Sequence, residues 1–206
     1  MKPVMYLIPN GSSLEGQPDH LGNIIGPRTG GLRPIKEGRR WAADNDAYHG
    51  KFTEQGFLKH LKRLEPYRTT CLFVALPDVV ADPHATLKLY YPWRARVHAL
   101  GFPVAWVAQN GATTIPDGCD AVFIGGTTEW KLGSEALRLC QQTKERGLWL
   151  HMGRVNSKLR SNIAAQMGVD SVDGTKMVYV GREAGAKLAD DWMVSAKGAA
   201  KQQRLL

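Results

Sequence analysis

The sequence predicts a parallel α/β fold, in its simplest closed form a trimmed (β/α)8 barrel. Three observations predict it. About eight short apolar, β-branched or aromatic runs recur along the 206 residues. Helical patterns lie between the later runs. Several of the runs are continuously apolar, as parallel strands covered on both faces must be. The chain falls below the ~250 residues usual for such a barrel, and helices are missing near its start. A doubly wound open sheet is the alternative. No Gly-x-Gly-x-x-Gly or Walker pattern follows the first run, which argues against a nucleotide-cofactor fold.

The runs cover residues 4–8, 23–25, 40–43, 71–76, 104–108, 121–124, 148–151 and 171–172. Between the third and fourth, residues 53–64 place Phe57, Leu58, Leu61 and Leu64 on one helical face, with lysines opposite. Asp82-Pro83 supplies an N-cap and a first-turn proline for a helix that stops at Gly101 and that Pro92 should kink or interrupt. Residues 134–146 form the next helix, ending at Gly147. Asn156 or Ser157 caps another that ends at Gly168. The last helix, about 184–203, has Leu188, Trp192 and Val194 as its expected buried residues. Residues 1–206 read as one barrel domain, with a basic, frayed tail over 197–206.

Composition bounds the function. A hydrophobic share of 43% with 22% charged residues is ordinary for a globular protein. No apolar run approaches the ~18–20 residues of a membrane span, and Pro9 and Asn10 cut short the apolar start, so neither a membrane nor a signal peptide is expected. Cys71, Cys119 and Cys140 lack metal-ligand spacing and read as packing residues of a cytoplasmic protein. The net charge of +8 favours a polyanionic partner. Arg28, Arg33, Lys36, Arg39 and Arg40 crowd one Gly/Pro-punctuated loop, either as nucleic-acid contacts or as a solvated surface.

In a (β/α)8 barrel the active site forms at the C-terminal strand ends. The third run ends in Asp44-Asn45-Asp46-Ala47-Tyr48 and the fourth in Leu76-Pro77-Asp78. The fifth ends in Gln109-Asn110-Gly111, and the sixth in Gly125-Gly126-Thr127. The seventh ends in His151-Met152-Gly153-Arg154 and the eighth in Asp173-Gly174. Carboxylates accept from ring N–H and amino groups, Gln109 and a glycine N–H donate to a carbonyl, and Tyr48 and Met152 suit the two faces of a flat heterocycle. Singly, each has another reading: Asp44 and Asp46 as turn formers, Asp78 as a helix cap, Met152 as core. The joint placement carries the expectation.

The ordered set resembles the tRNA-guanine transglycosylase superfamily, and within it the branch that inserts 7-deazaguanines into DNA in bacterial gene clusters and phages. The resemblance lies in Asp44-Asn45-x-Ala47-Tyr48, Leu76-Pro77-Asp78, Val107-Ala108-Gln109-Asn110-Gly111, Phe123-Ile124-Gly125-Gly126-Thr127-x-Glu129-Trp130-Lys131-Leu132-Gly133, His151-Met152-Gly153-Arg154-Val155-Asn156-Ser157 and Asp170-Ser171-Val172-Asp173-Gly174. It implies Asp173 as covalent nucleophile and Asp44 as general acid/base. It implies Asp78, Gln109 and the backbone of Gly125 and Gly126 as readers of the base, and Tyr48 and Met152 as its sandwich. It implies no cofactor and no metal.

The expected partners are double-stranded DNA with its target base flipped out and a free 7-deazaguanine, with further subunits left open. Arg154, Asn156, Lys158 and Arg160, after the seventh run, are the expected backbone contacts, together with Arg28, Arg33, Arg39 and Arg40. The expected location is the cytoplasm, the host's for a phage-borne copy. There are departures from the family. Asp46 stands where relatives have glycine, and no cysteine follows Cys140 to build the zinc site of the tRNA enzymes. The alternatives are tRNA-guanine exchange, a nucleoside-level glycosylase, or a non-catalytic base-binding subunit. Keeping both Asp44 and Asp173 speaks against the last.

Overall fold

In the computed structural model, which describes residues 3–9 and 13–203, eight parallel strands close into a barrel. They are β1 (Met5–Ile8), β2 (Leu21–Ile25), β3 (Trp41–Ala43), β4 (Cys71–Ala75), β5 (Val104–Ala108), β6 (Ala121–Ile124), β7 (Trp149–Met152) and β8 (Ser171–Asp173). Each pairs with its sequence neighbours, and β8 closes on β1 with Leu7 opposite Asp173. All eight apolar runs are therefore strands, and the open sheet is excluded. The largest shift in a boundary is at β2, which starts at Leu21 because the ladder with β1 reaches back to the Tyr6–Leu21 pair. Gly22 makes this possible, since a Cβ there would lie 2.5 Å from the Arg40 carbonyl oxygen.

The helices are α1 (Arg33–Lys36), α2 (Glu54–Leu64), α3 (Pro83–Ala99), α4 (Thr128–Lys131), α5 (Ser134–Glu145), α6 (Lys158–Gln166), α7 (Lys176–Tyr179) and α8 (Arg182–Gln203). Among the described residues full-length helices are missing after β1, β2 and β5, which is how the barrel is trimmed. Two caps, Asp82 and Ser157, lie where the sequence puts them, and Thr53 supplies a third. Thr53, Asp82 and Ser157 accept from the backbone N–H of Gly56, Ala85 and Arg160. Pro92 does not interrupt α3, because Tyr90, Trp93 and Val97 bury on both sides of it and hold the helix to the barrel. In α8 Val194 is exposed, contrary to expectation, and Ala186, Ala189, Trp192, Met193 and Ala196 are buried instead. The helix continues through Gln203, across most of the stretch expected to be a tail; residues 204–206 lie outside the described residues.

The apolar residues form two compartments. One lies between strands and helices, and the other fills the lower barrel with Leu7, Ile24, Ala42, Leu72, Phe73, Ala105 and Ala121. Strand side chains alternate between faces. On β7, Leu150 and Met152 therefore join the outer compartment while Trp149 packs against the inner one. Among the described residues no helix is long and apolar enough to cross a membrane.

Candidate active site

A cavity of about 650 Å³ opens at the C-terminal ends of the strands. Its floor is apolar, from Ile24, Ala75, Val107 and Phe123. Above the floor stand Asp44, Asp78, Gln109, Gly125, Gly126 and Asp173, with Arg28, Tyr48, Arg154 and Asn156 nearer the rim. Period-two alternation explains the convergence. Asp44 follows the inward Ala42 by two, Gln109 follows Val107, Gly125 follows Phe123, and Asp173 follows Ser171.

Asp44 and Asp173 share the cavity but have different surroundings. Asp44 accepts one hydrogen bond, from the N–H of Asn45 at 2.8 Å. Burial first and the neighbouring charge of Asp173 second push its carboxyl up to about 7, against 3.8 for an ordinary aspartate. Such a carboxyl can hold or release a proton near neutral pH. Asp173 Oδ1 accepts from His151 Nε2 at 3.0 Å and from the N–H of Arg154 at 3.2 Å, and its side chain lines the cavity. Gly153 and Gly174 allow the turns around it to close. A Cβ on Gly153 would lie 2.6 Å from the Phe123 ring, and one on Gly174 would lie 2.6 Å from the Tyr6 hydroxyl.

Asp78 is held by amides. Asn45 Nδ2 donates to its Oδ1 at 2.8 Å, and Gln109 Nε2 donates to its Oδ2 at 2.7 Å. Burial raises its carboxyl above the ordinary range, with the two amides opposing. Asn45 also donates to the Leu76 carbonyl and accepts from the N–H of Ala47, so one amide ties the ends of β3 and β4 together. Gln109 Oε1 accepts from the N–H groups of Ala81 and Gly126, and the Gly125 N–H goes to the Ala108 carbonyl. In this structure the two glycine N–H groups are thus engaged within the protein, and a base carbonyl would have to take over from Gln109.

Asp46 has a partner. Its carboxylate receives Arg28 Nε at 3.0 Å and Arg28 Nη2 at 3.4 Å, and its backbone is left-handed at φ 61°. Arg28 is thereby placed at the cavity rim. Arg154, also left-handed at φ 58°, lays its guanidinium 4.2 Å over the Tyr48 ring and donates to the Gly126 carbonyl. Left-handed backbone costs a non-glycine residue ~1–2 kcal/mol, so the turn needs support. Lys131 provides it. Its buried ammonium donates to the Gly153 carbonyl at 2.5 Å and the Arg154 carbonyl at 3.5 Å, and burial, then the Arg154 charge, push it down to about 8.

Several expected residues lie elsewhere. Met152 is fully buried in the outer compartment and cannot stack on a bound ring, because His151 takes the inward position and the next residue must point out. Tyr48 does line the cavity, with its ring under Arg154, so the expected sandwich is not formed. Arg39 and Arg40 precede β3 and sit at the opposite end of the barrel from the cavity. Arg39 clamps the carbonyls of Leu14, Gln17 and Pro18, and Arg33 is paired with Glu15 and Glu37. Lys158 and Arg160, at the start of α6, do not line the cavity. Asn156 does, with its side-chain oxygen accepting from the N–H of Lys176.

Sequence reasoning missed the roles of His151, Ser171, Asn45 and Lys131. For Ser171 the signal was the period-two spacing that puts it on the same face as Asp173; its pairing with His151 comes from the register of β7 and β8. Lys131 belongs to the Phe123–Gly133 stretch of the resemblance, but its contact with the Arg154 turn, 22 residues on, is visible only in the fold. Among the described residues no group of three or more His, Cys, Asp or Glu could hold a metal ion.

No family model matches the sequence, and no curated protein matches it. Solved structures do match in fold. The chain is similar to a structure of the BexX/CysO complex from Amycolatopsis orientalis, at 13% identity over 96% of this chain and 89% of that one, with a TM-score of 0.58. The native KDPGal structure matches at 9% identity over 100% and 98%, with a TM-score of 0.56. The tryptophan synthase alpha subunit of Legionella pneumophila matches at 10% identity over 98% and 94%, with a TM-score of 0.54. At such identities the likeness is one of fold: the chain is a (β/α)8 barrel.

Proposed function

We propose that the chain is a base-exchanging glycosyltransferase that replaces guanine in DNA with a 7-deazaguanine, such as the 7-cyano form, through a covalent bond to Asp173. One observation carries the reading. A carboxyl that keeps its proton to about pH 7, Asp44, shares a cavity with a carboxylate oriented by two donors, Asp173, beside a third that is held by amides, Asp78. A binding module has no use for the first two. The family resemblance of the strand ends supports the same assignment.

The anomeric carbon of a stacked nucleotide is unreachable, so the target guanine must flip out, at a few kcal/mol. Asp173 attacks that carbon through an oxocarbenium-like transition state while Asp44 gives its proton to the departing base. The deazaguanine then occupies the same pocket, passes its ring N–H proton to Asp44 and displaces Asp173. Two inversions leave the sugar's configuration unchanged. Asp78 and Gln109 read the base; leaving one such buried group unpaired costs ~1–3 kcal/mol, enough to discriminate among bases.

The test is to mix the protein with duplex DNA, tRNA and 7-cyano-7-deazaguanine, then analyse the digested nucleosides. Deazaguanine in the DNA fraction is the expected result, and incorporation into tRNA alone overturns it. A second reading, exchange on a free nucleoside phosphate, has a specific observation in its favour. Of the four arginines in the basic loop, only Arg28 lines the cavity, where Asp46 already pairs with it. Exchange on a mononucleotide but not on duplex DNA would select that reading.

A further inference from the structure

Behind Asp173 runs a file of polar groups that the steps above do not use. Trp149 Nε1 donates to Ser171 Oγ at 2.9 Å, Ser171 Oγ meets His151 Nδ1 at 2.8 Å, and His151 Nε2 meets Asp173 Oδ1 at 3.0 Å. The imidazole is fully buried, with the rings of Phe73 and Phe123 centred 5.0 and 4.5 Å away. It does not line the cavity, so it acts on a substrate only through Asp173.

Elimination gives the direction of each hydrogen bond. An indole N–H only donates, so the Ser171 oxygen accepts from Trp149, and with the single proton of a neutral imidazole on Nε2 the Ser171 hydroxyl is the donor to Nδ1. A carboxylate only accepts, so Nε2 carries the imidazole proton. We propose that His151 is a positioning residue: Ser171 holds it in the Nε2–H form, which grips Asp173 Oδ1, turns Oδ2 to the reacting carbon and assists departure of the carboxylate. The last part rests on the base-exchange reading.

In the first displacement Asp173 Oδ2 bonds to the anomeric carbon, the carbon–nitrogen bond to guanine breaks, and guanine leaves with the proton of Asp44. In the second, the incoming nitrogen bonds to the same carbon and its proton passes to Asp44. The bond to Asp173 then breaks, and its electron pair returns to the carboxylate. A hydrogen bond to a full carboxylate is stronger than one to an ester. The Nε2–H group therefore speeds the second displacement more than the first.

His151→Leu removes the donor and keeps an apolar filler between the phenylalanines. With target DNA and 7-cyano-7-deazaguanine, this variant should accumulate a covalent protein–DNA adduct on a denaturing gel. Its turnover should fall about tenfold to a hundredfold while adduct formation changes less. His151→Gln, which keeps an N–H, should recover part of the turnover. Equal slowing of both steps with no adduct overturns the proposal. Imidazole nitrogen NMR of the unmodified protein gives a readout independent of activity. Nδ1 should appear as an acceptor and Nε2 as protonated, with mixed forms in Ser171→Ala; an Nδ1–H form in the unmodified protein overturns it. A protein that exchanges no base on any substrate removes the base-exchange reading and the bond-breaking role together. The nitrogen signature still decides the grip on Asp173.

Discussion

The β3 and β8 ends of the cavity each present an aspartate, and the two are prepared in opposite ways. At the end of β3, Asp44 has one backbone donor and a buried site beside other carboxylates, so it holds a proton to about pH 7. At the end of β8, Asp173 is held by a histidine and a backbone N–H, with its carbonyl bound by the Val155 N–H at 2.6 Å. The residue type is the same on both sides; the donors and the burial differ. On the proposed function, these surroundings suit one to proton transfer and the other to bond formation.

The largest test of that contrast is Asp173→Ala, which should reduce exchange by ~10⁴-fold or more while leaving binding of the free base intact. Retained exchange would break the assignment. Next comes Asp44→Asn, which should cost ~10²–10⁴-fold in guanine release, read in a single turnover. In the unmodified protein that step should slow as pH rises through about 7, where Asp44 loses its proton. The sign for stability follows. Between the ordinary 3.8 and about 7 the folded state keeps a proton that the unfolded state has released, so stability falls as pH rises across that window. Asp44→Asn should therefore raise Tm relative to the parent more at pH 8 than at pH 4, at about 2–4 °C per kcal/mol for a chain of this size.

Gly174→Ala tests how finely the β8 side is held. The new Cβ would meet the Val155 carbonyl and the Tyr6 hydroxyl at 2.6 Å, and the shift this forces on Asp173 should cost ~10²-fold in rate. On the β3 side, Asp46→Asn keeps the left-handed turn but releases Arg28, and should raise KM on the order of threefold with little change in kcat. The smallest effect is expected for Met152→Leu. As an outward core residue it should change stability by less than ~1.5 kcal/mol and leave KM alone. A large rise in KM there would restore it as a base platform.

Much of the frame was legible before any coordinates. The eight strands, the caps at Asp82 and Ser157, and the convergence of Asp44, Asp78, Gln109 and Asp173 depend on apolar runs, on neighbours three residues apart, and on strand ends sharing one mouth. The basic loop was not legible. Arg33 and Arg39 look like free cations in the chain, yet their partners Glu15, Asp19 and the Leu14 carbonyl lie 18–25 residues away. Nor was the true inner face of β7 recognised, and Met152 was assigned the place that belongs to His151.

The sequence by itself thus determined the barrel and the identity of the carboxylates at its mouth, because hydrophobic runs, caps and strand ends are local properties of the chain. Only the tertiary structure decided which face each strand residue takes, that Asp46 holds Arg28, that Lys131 props the Arg154 turn, and that His151 stands behind Asp173. These depend on side chains meeting across 18 to 23 residues of intervening sequence. Such meetings are fixed by strand register and barrel closure, which no local pattern contains.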